Sequence, residues 1–172
     1  MKIDADSPEC ITGNPTGSLI VISGPSGAGK GTIVKALLDQ YASIHYSVSA
    51  TTRAPREGEV NGVNYWFVSR EEFLHMREHD DLLEWAEVYS NFYGTPRRRV
   101  IEAINRGHDI ILEIDPQGAM KVKQCFPSAV FVYIMPPSPR ELSRRIVGRG
   151  TESQEAIRQR LNSVVTELGY IH

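Results

Sequence analysis

Cysteine is scarce in this chain of 172 residues, with only Cys10 and Cys125. Two thiols so far apart, without the spacing of metal ligands, exclude a disulfide framework and a thiolate metal site, and they fit a reducing compartment. Charge of one sign is lacking as well. Lysine and arginine total 19 against 21 for aspartate and glutamate, a formal net charge of −2. That leaves no electrostatic footprint for a nucleic-acid polymer or an anionic membrane. No apolar run approaches the roughly 18 residues of a membrane span, and the N-terminus lacks a basic region followed by an apolar one. Internal repeats and low-complexity segments are missing too. The expectation is a soluble, cytoplasmic protein.

What remains is ordinary globular composition, 41 % hydrophobic and 23 % charged, enough to bury the core of one domain. Residues 1–17 carry acids, prolines and glycines without periodicity and read as a flexible leader to a domain over 18–172. Leu19–Ile22, His108–Asp115 and Ala129–Met135 are short β-branched runs of the kind buried on both faces of a parallel sheet. Helical patterns alternate with them: 32–40 with Ile33, Val34, Ala36, Leu37 and Leu38 on one face, then 100–106, 117–124, 138–147 and 153–168. Strands alternating with helices predict an α/β fold. The stretch 46–97 interrupts the alternation. Tyr46–Thr51 and Asn64–Val68 read as strands, followed by a helix from Arg70 to His79, so a small antiparallel insertion is expected there.

Gly24-Pro25-Ser26-Gly27-Ala28-Gly29-Lys30 lies between the first strand and the first helix. In that context the pattern is a phosphate-binding loop: backbone N–H groups turn inward, the helix N-terminus adds partial positive charge, and Lys30 adds a full one. Gly31 stands where the full motif has the hydroxyl that ligates Mg²⁺. Thr32 follows directly and is a phosphate-binding candidate, while the ion would depend more on nucleotide oxygens and water. Arginines cluster at 53 and 56, 97–99 and 140–160, which suits a small polyanion held in a cleft. His75 and His79, four apart on a helix, lack a third ligand and read as surface residues.

A phosphate loop indicates a nucleotide; the residues after it narrow the choice. The segment Ser47 to Gly62, with Thr51-Thr52-Arg53-Ala54-Pro55-Arg56 inside it, resembles the signature of guanylate kinases. The resemblance continues through Tyr65, Leu83-Glu84-Trp85-Ala86, Asn91 to Thr95, Ile114 to Gly118 and Gly148 to Thr151, from about Leu19 to the C-terminus. It implies a P-loop nucleoside monophosphate kinase with a parallel core (18–45 and 98–147), an inserted GMP-binding region (46–97) and a short lid (148–155).

The resemblance also implies roles. ATP would lie on Gly24 to Thr32. Arg53, Arg56, Tyr65 and Tyr93 would hold the GMP phosphate, within a set completed by Ser49, Glu59, Glu84, Thr95 and Asp115. Two guanidinium forks can share a dianion's oxygens. Guanine presents N1–H and a 2-amino group side by side, and an ionised carboxylate such as Glu84 accepts from both; adenine offers neither. Lys30, Arg53, Arg145, Arg149 and Arg160 would be the catalytic cations. Glu113, two residues before Asp115, is a candidate near Mg²⁺, direct or through water, although the family often has aspartate there. The expected reaction is direct transfer of the terminal phosphate of ATP to GMP or dGMP. The alternatives are an inactive guanylate-kinase-like protein-binding module and a P-loop kinase with another phosphorylated acceptor. Guanylate kinases continue past the equivalent of Leu168 with a further core strand and helix, so a fragment with an incomplete ATP site is expected.

Overall fold

The computed structural model describes residues 16–148 apart from Tyr89. The expected leader up to residue 15, Cys10, most of the lid, the helix 153–168, and Arg149 and Arg160 lie outside the described residues.

A parallel sheet forms the centre. Its strands are β1 (Leu19–Ser23), β2 (Ile44–Tyr46), β7 (Asp109–Glu113) and β8 (Val130–Tyr133), in the order β2-β7-β1-β8. The helices are α1 (Lys30–Gln40), α2 (Arg70–Glu78), α3 (Arg97–Asn105), α4 (Pro116–Cys125) and α5 (Pro139–Gly148). Alternation along β1 and β7 sends residues to both faces. Leu19, Val21, Ile110 and Leu112 pack with Val100 and Ile104 of α3 and Val122 of α4. Ile22 and Ile111 pack with Val34 of α1 on the other side. These central strands are the apolar runs that a sheet covered on both faces requires.

A second sheet, in the order β4-β3-β6-β5, is built from β3 (Ala50–Thr51), β4 (Trp66–Phe67), β5 (Leu82–Val88) and β6 (Asn91–Pro96). Ala50, Phe73, Leu82 and Phe92 form its own core, with the Phe73 and Phe92 rings stacked at 5.3 Å. Helix α2 begins with a complete capping box, in which Ser69 Oγ accepts from the Glu72 N–H at 3.1 Å and the Glu72 carboxylate accepts from the Ser69 N–H at 2.6 Å.

Several expectations need correcting. The run Tyr46–Thr51 is not one strand: it ends β2 in the central sheet and begins β3 in the second, because Ser47 still bonds to Ile111 while Ala50 pairs with Gly94. The insertion is not purely antiparallel, since β3 runs parallel to β4. Strand β8 is not buried on both faces: it pairs with β1 on one side, and Val130 and Val132 are 52 % and 39 % exposed. In α1 only Val34 is fully buried, and Ile33 of the expected apolar face is exposed.

Candidate active site

The loop after β1 owes its shape to glycine. Gly29, the residue before α1, has φ 100°, in the left-handed region. At Gly24 a Cβ would stand 2.3 Å from the Ile134 carbonyl oxygen, so β8 can close on the loop only because no side chain is there. Lys30, the first residue of α1, folds back over this loop. Its ammonium donates to the carbonyls of Gly24 at 2.6 Å and Pro25 at 3.2 Å. Arg145 of α5 reaches the loop from another direction and donates to the Ala28 carbonyl at 3.2 Å. Glu141, one turn earlier, accepts from Arg144 and Arg145, and these bonds draw its pKa down to about 2.

The loop forms one wall of a cleft of about 570 Å³. Across from it, the second sheet presents a basic and phenolic wall. Thr51 and Thr52 tie the chain to β6, Thr51 Oγ1 donating to the Phe92 carbonyl at 2.9 Å and Thr52 Oγ1 accepting from the Phe92 N–H at 2.9 Å. Arg53 leaves this anchored segment and meets Glu59 in an ion pair in which its Nη2 donates to both carboxylate oxygens, at 2.9 and 3.0 Å. Its guanidinium lies 5.4 Å from the centre of the Tyr65 ring, and Tyr65 and Tyr93 meet edge to face at 5.9 Å. Burial raises the Tyr65 hydroxyl to a pKa of about 12, with Tyr93 adding to the rise. The Tyr65 phenol therefore remains a donor at neutral pH.

Glu59 does more than line the cleft. Besides holding Arg53 it accepts from the Arg56 N–H at 2.7 Å, so one carboxylate ties together the two arginines of the segment. Burial pushes Glu59 upward, but the hydrogen bonds from Arg53 and the Arg56 backbone outweigh it and hold its pKa below the usual carboxylate range. Arg53 is correspondingly raised: burial opposes its charge, and the Glu59 bond and charge more than offset that.

Deeper in the cleft stands Glu84 on β5, 5 % exposed. Thr95 Oγ1, on the neighbouring β6, donates to Glu84 Oε1 at 2.7 Å. Desolvation raises the Glu84 pKa to about 7; the Thr95 bond acts against the rise and the nearby Asp115 charge adds to it. Asp115 caps α4, its Oδ1 accepting from the N–H groups of Gln117 at 2.7 Å and Gly118 at 3.0 Å. Lys121, one turn further along α4, donates to the Trp85 carbonyl and lies 4.5 Å from that ring's centre, while Arg77 of α2 lies 5.3 Å from it. These contacts tether the β5 segment that carries Glu84 to both α2 and α4.

The residues expected at the site from sequence therefore largely come together. Gly24, Ser26, Gly27, Gly29, Lys30, Gly31, Thr32, Ser49, Arg53, Arg56, Glu59, Tyr65, Glu84, Tyr93, Glu113 and Asp115 line one cleft. Pro25, Ala28 and Thr95 are buried; Thr95 touches Glu84, and the carbonyls of the other two accept from Lys30 and Arg145. Asn64, Val88, Gly94 and Ile114 also line the cleft; Gly94 and Ile114 lie in segments that carry the family resemblance, but none of the four was expected at the site. His75 and His79 are exposed and stack on each other at 3.9 Å.

A parallel sheet with a glycine loop between β1 and α1, facing a basic wall at the strands' C-terminal ends, defines a P-loop α/β protein. The guanylate kinase family model matches residues 16–172. The chain is 58 % identical over 155 residues to the guanylate kinase of Desulfitobacterium hafniense, covering 90 % of this chain and 78 % of that protein. It is 59 % identical over 152 residues to the enzyme of Halalkalibacterium halodurans, covering 88 % and 74 %. Among solved structures, the guanylate kinase of Anaplasma phagocytophilum superposes with a TM-score of 0.73 at 37 % identity, over 90 % of this chain and 72 % of that one. The chain belongs to the guanylate kinase family.

Proposed function

We propose that the chain transfers the terminal phosphoryl group of ATP to GMP or dGMP, as its relatives' name describes, and that the cleft above is where it does so. The observation that carries this reading is Glu84: a nearly buried carboxylate facing the same cleft as the phosphate loop and the Arg53–Arg56 wall. Ionised, it accepts from guanine N1–H and the 2-amino group, with Ser49, Thr95 and Asp115 completing the base site. Adenine would leave it unpaired, a loss that can discriminate by factors on the order of 10⁴.

Phosphoryl transfer asks the protein chiefly for positioning and charge. The loop amides and Lys30 hold the ATP phosphates. Lys30 now spends its hydrogen bonds on loop carbonyls, and a nucleotide phosphate would replace them. Arg53 and Arg56, with Tyr65 and Tyr93, orient the GMP phosphate as nucleophile, and Glu59 keeps Arg53 aimed. Arg145, with Arg149 and Arg160 from the chain beyond the described residues, would neutralise charge on the moving group. The residues also fit Mg²⁺: the Glu113 carboxylate oxygens lie 3.6 Å from where a Gly31 Cβ would stand. A hard oxygen ligand thus occupies the region where the full loop motif has its hydroxyl. When bound with ATP, Mg²⁺ supplies charge neutralisation at the outer phosphates.

The test is a coupled assay of ADP release from ATP with GMP, dGMP, AMP, UMP or CMP as acceptor. Release should require GMP or dGMP, and equal rates with AMP would refute the guanine assignment.

A further inference from the structure

The Glu84 carboxylate is held from two sides, and only one of them is a hydrogen bond. Thr95 Oγ1 donates to Oε1 at 2.7 Å. On the other side, the first turn of α4 approaches with no side chain. A Cβ built on Gly118 would stand 2.5 Å from Glu84 Oε2 and 3.1 Å from its Cδ. Carbon and oxygen do not approach to 2.5 Å without overlap, so the observed carboxylate position and any side chain at residue 118 exclude each other. The next nearest atom, Ile114 Cδ1, is 3.5 Å away, an ordinary contact. A methyl group at 118 would therefore collide with the carboxylate alone, not with the backbone or the core. The helix gives no local reason for a glycine here. Gly118 is absent from the positive-φ glycines, and glycine inside a helix is intrinsically worse than alanine. Its N–H bond to Asp115 needs no glycine either, because any residue but proline has that N–H.

We infer that Gly118 is a specificity-positioning residue: its missing side chain leaves the space in which the Glu84 carboxylate faces the base. This rests on the reading of the cleft as a guanine site. Gly118 is not among the residues that line the cleft. It acts through Glu84, which in turn distinguishes the Watson–Crick edge of guanine from bases without the adjacent donors.

Gly118→Ala tests this, with KM measured for GMP, for ATP and for inosine monophosphate, which lacks only the 2-amino group. The variant should remain folded at the assay temperature and keep its KM for ATP. Its KM for GMP should rise tenfold or more, and its preference for GMP over inosine monophosphate should shrink. Glu84→Asp, one methylene shorter, withdraws the carboxylate from the crowded point. Alone it should impair GMP use; in the Gly118→Ala background the same change should cost much less, giving strong coupling in the double-mutant cycle. Multiplicative effects would mean that the two positions act independently and would overturn the inference. So would a Gly118→Ala enzyme with wild-type discrimination, or one in which the KM values for ATP and GMP rise together. A wild-type chain that does not separate GMP from inosine monophosphate would instead overturn the guanine reading, and this inference with it.

Discussion

The two walls of the cleft achieve order differently. The phosphate loop is one uninterrupted run, Gly24 to Lys30, whose shape follows from glycines and a helix start. The opposite wall is assembled from separate places: Arg53 and Glu59 from the loop after β3, Tyr65 from the turn before β4, Glu84 from β5, Tyr93 and Thr95 from β6, and Asp115 from the cap of α4. Side chains there are held by other side chains, such as Glu59 on Arg53 and Thr95 on Glu84. A loop that works through its backbone tolerates many neighbours, whereas a wall that works through charged groups must specify each of them, since a partly buried charge left alone is costly. The first wall therefore suits a ligand part common to many enzymes, and the second suits the part that distinguishes this one.

Breaking the first wall should have the largest effect. Lys30→Ala removes a cation that donates to the loop carbonyls of Gly24 and Pro25. Turnover should fall by roughly 10³ or more, on the scale of losing preorganised charge at the reacting group, while the melting temperature stays near that of the wild type. The coupled assay and a thermal melt on one preparation decide it; a folded variant with unchanged turnover would remove Lys30 from the reaction.

The second wall should break in a more selective way. Arg53→Lys keeps the charge but has no planar fork with which to hold Glu59 through one nitrogen and the Ala54 carbonyl through the other, or to grip a phosphate. The KM for GMP should rise on the order of tenfold, with ATP binding largely unchanged. If the loss appeared in ATP affinity instead, the two walls would have been assigned to the wrong substrates.

The smallest effect, and the sharpest discriminator, is pH. The Glu84 pKa of about 7 lies above its unfolded value of about 4.3. The folded protein thus binds the extra proton between those values, and the stability it contributes is full below about pH 4.3 and declines as pH rises towards 7, by at most about 1.4 kcal/mol per unit. GMP use runs the opposite way, because guanine needs the ionised carboxylate: its KM should fall by up to about tenfold between pH 6 and pH 8. Glu84→Gln should abolish that pH dependence and lose most GMP preference, which separates it from titration of the GMP phosphate. The phosphate loop wall should show no such dependence in its KM for ATP.

The sequence by itself determined the central strands β1 and β7, the phosphate loop between β1 and α1, and the chemical type of each wall. Those features are local: an apolar run, a glycine spacing and the placement of charged residues are set within a few positions of the chain. Tertiary structure alone decided the division of Tyr46–Thr51 between two sheets, because a strand's partner is not written in its own residues. It likewise decided the surroundings of β8, whose Val130 and Val132 read like a buried strand but are exposed, with β1 its one paired neighbour among the described residues. The duties of Glu59 and Gly118 were hidden for the same reason. One is a carboxylate six residues from the arginine it grips, the other a glycine whose importance is the space it leaves for Glu84, far away in sequence. Hydrogen bonds and excluded volume depend on distances in three dimensions, and those exist only once the β5–β6 sheet and the start of α4 have closed around Glu84.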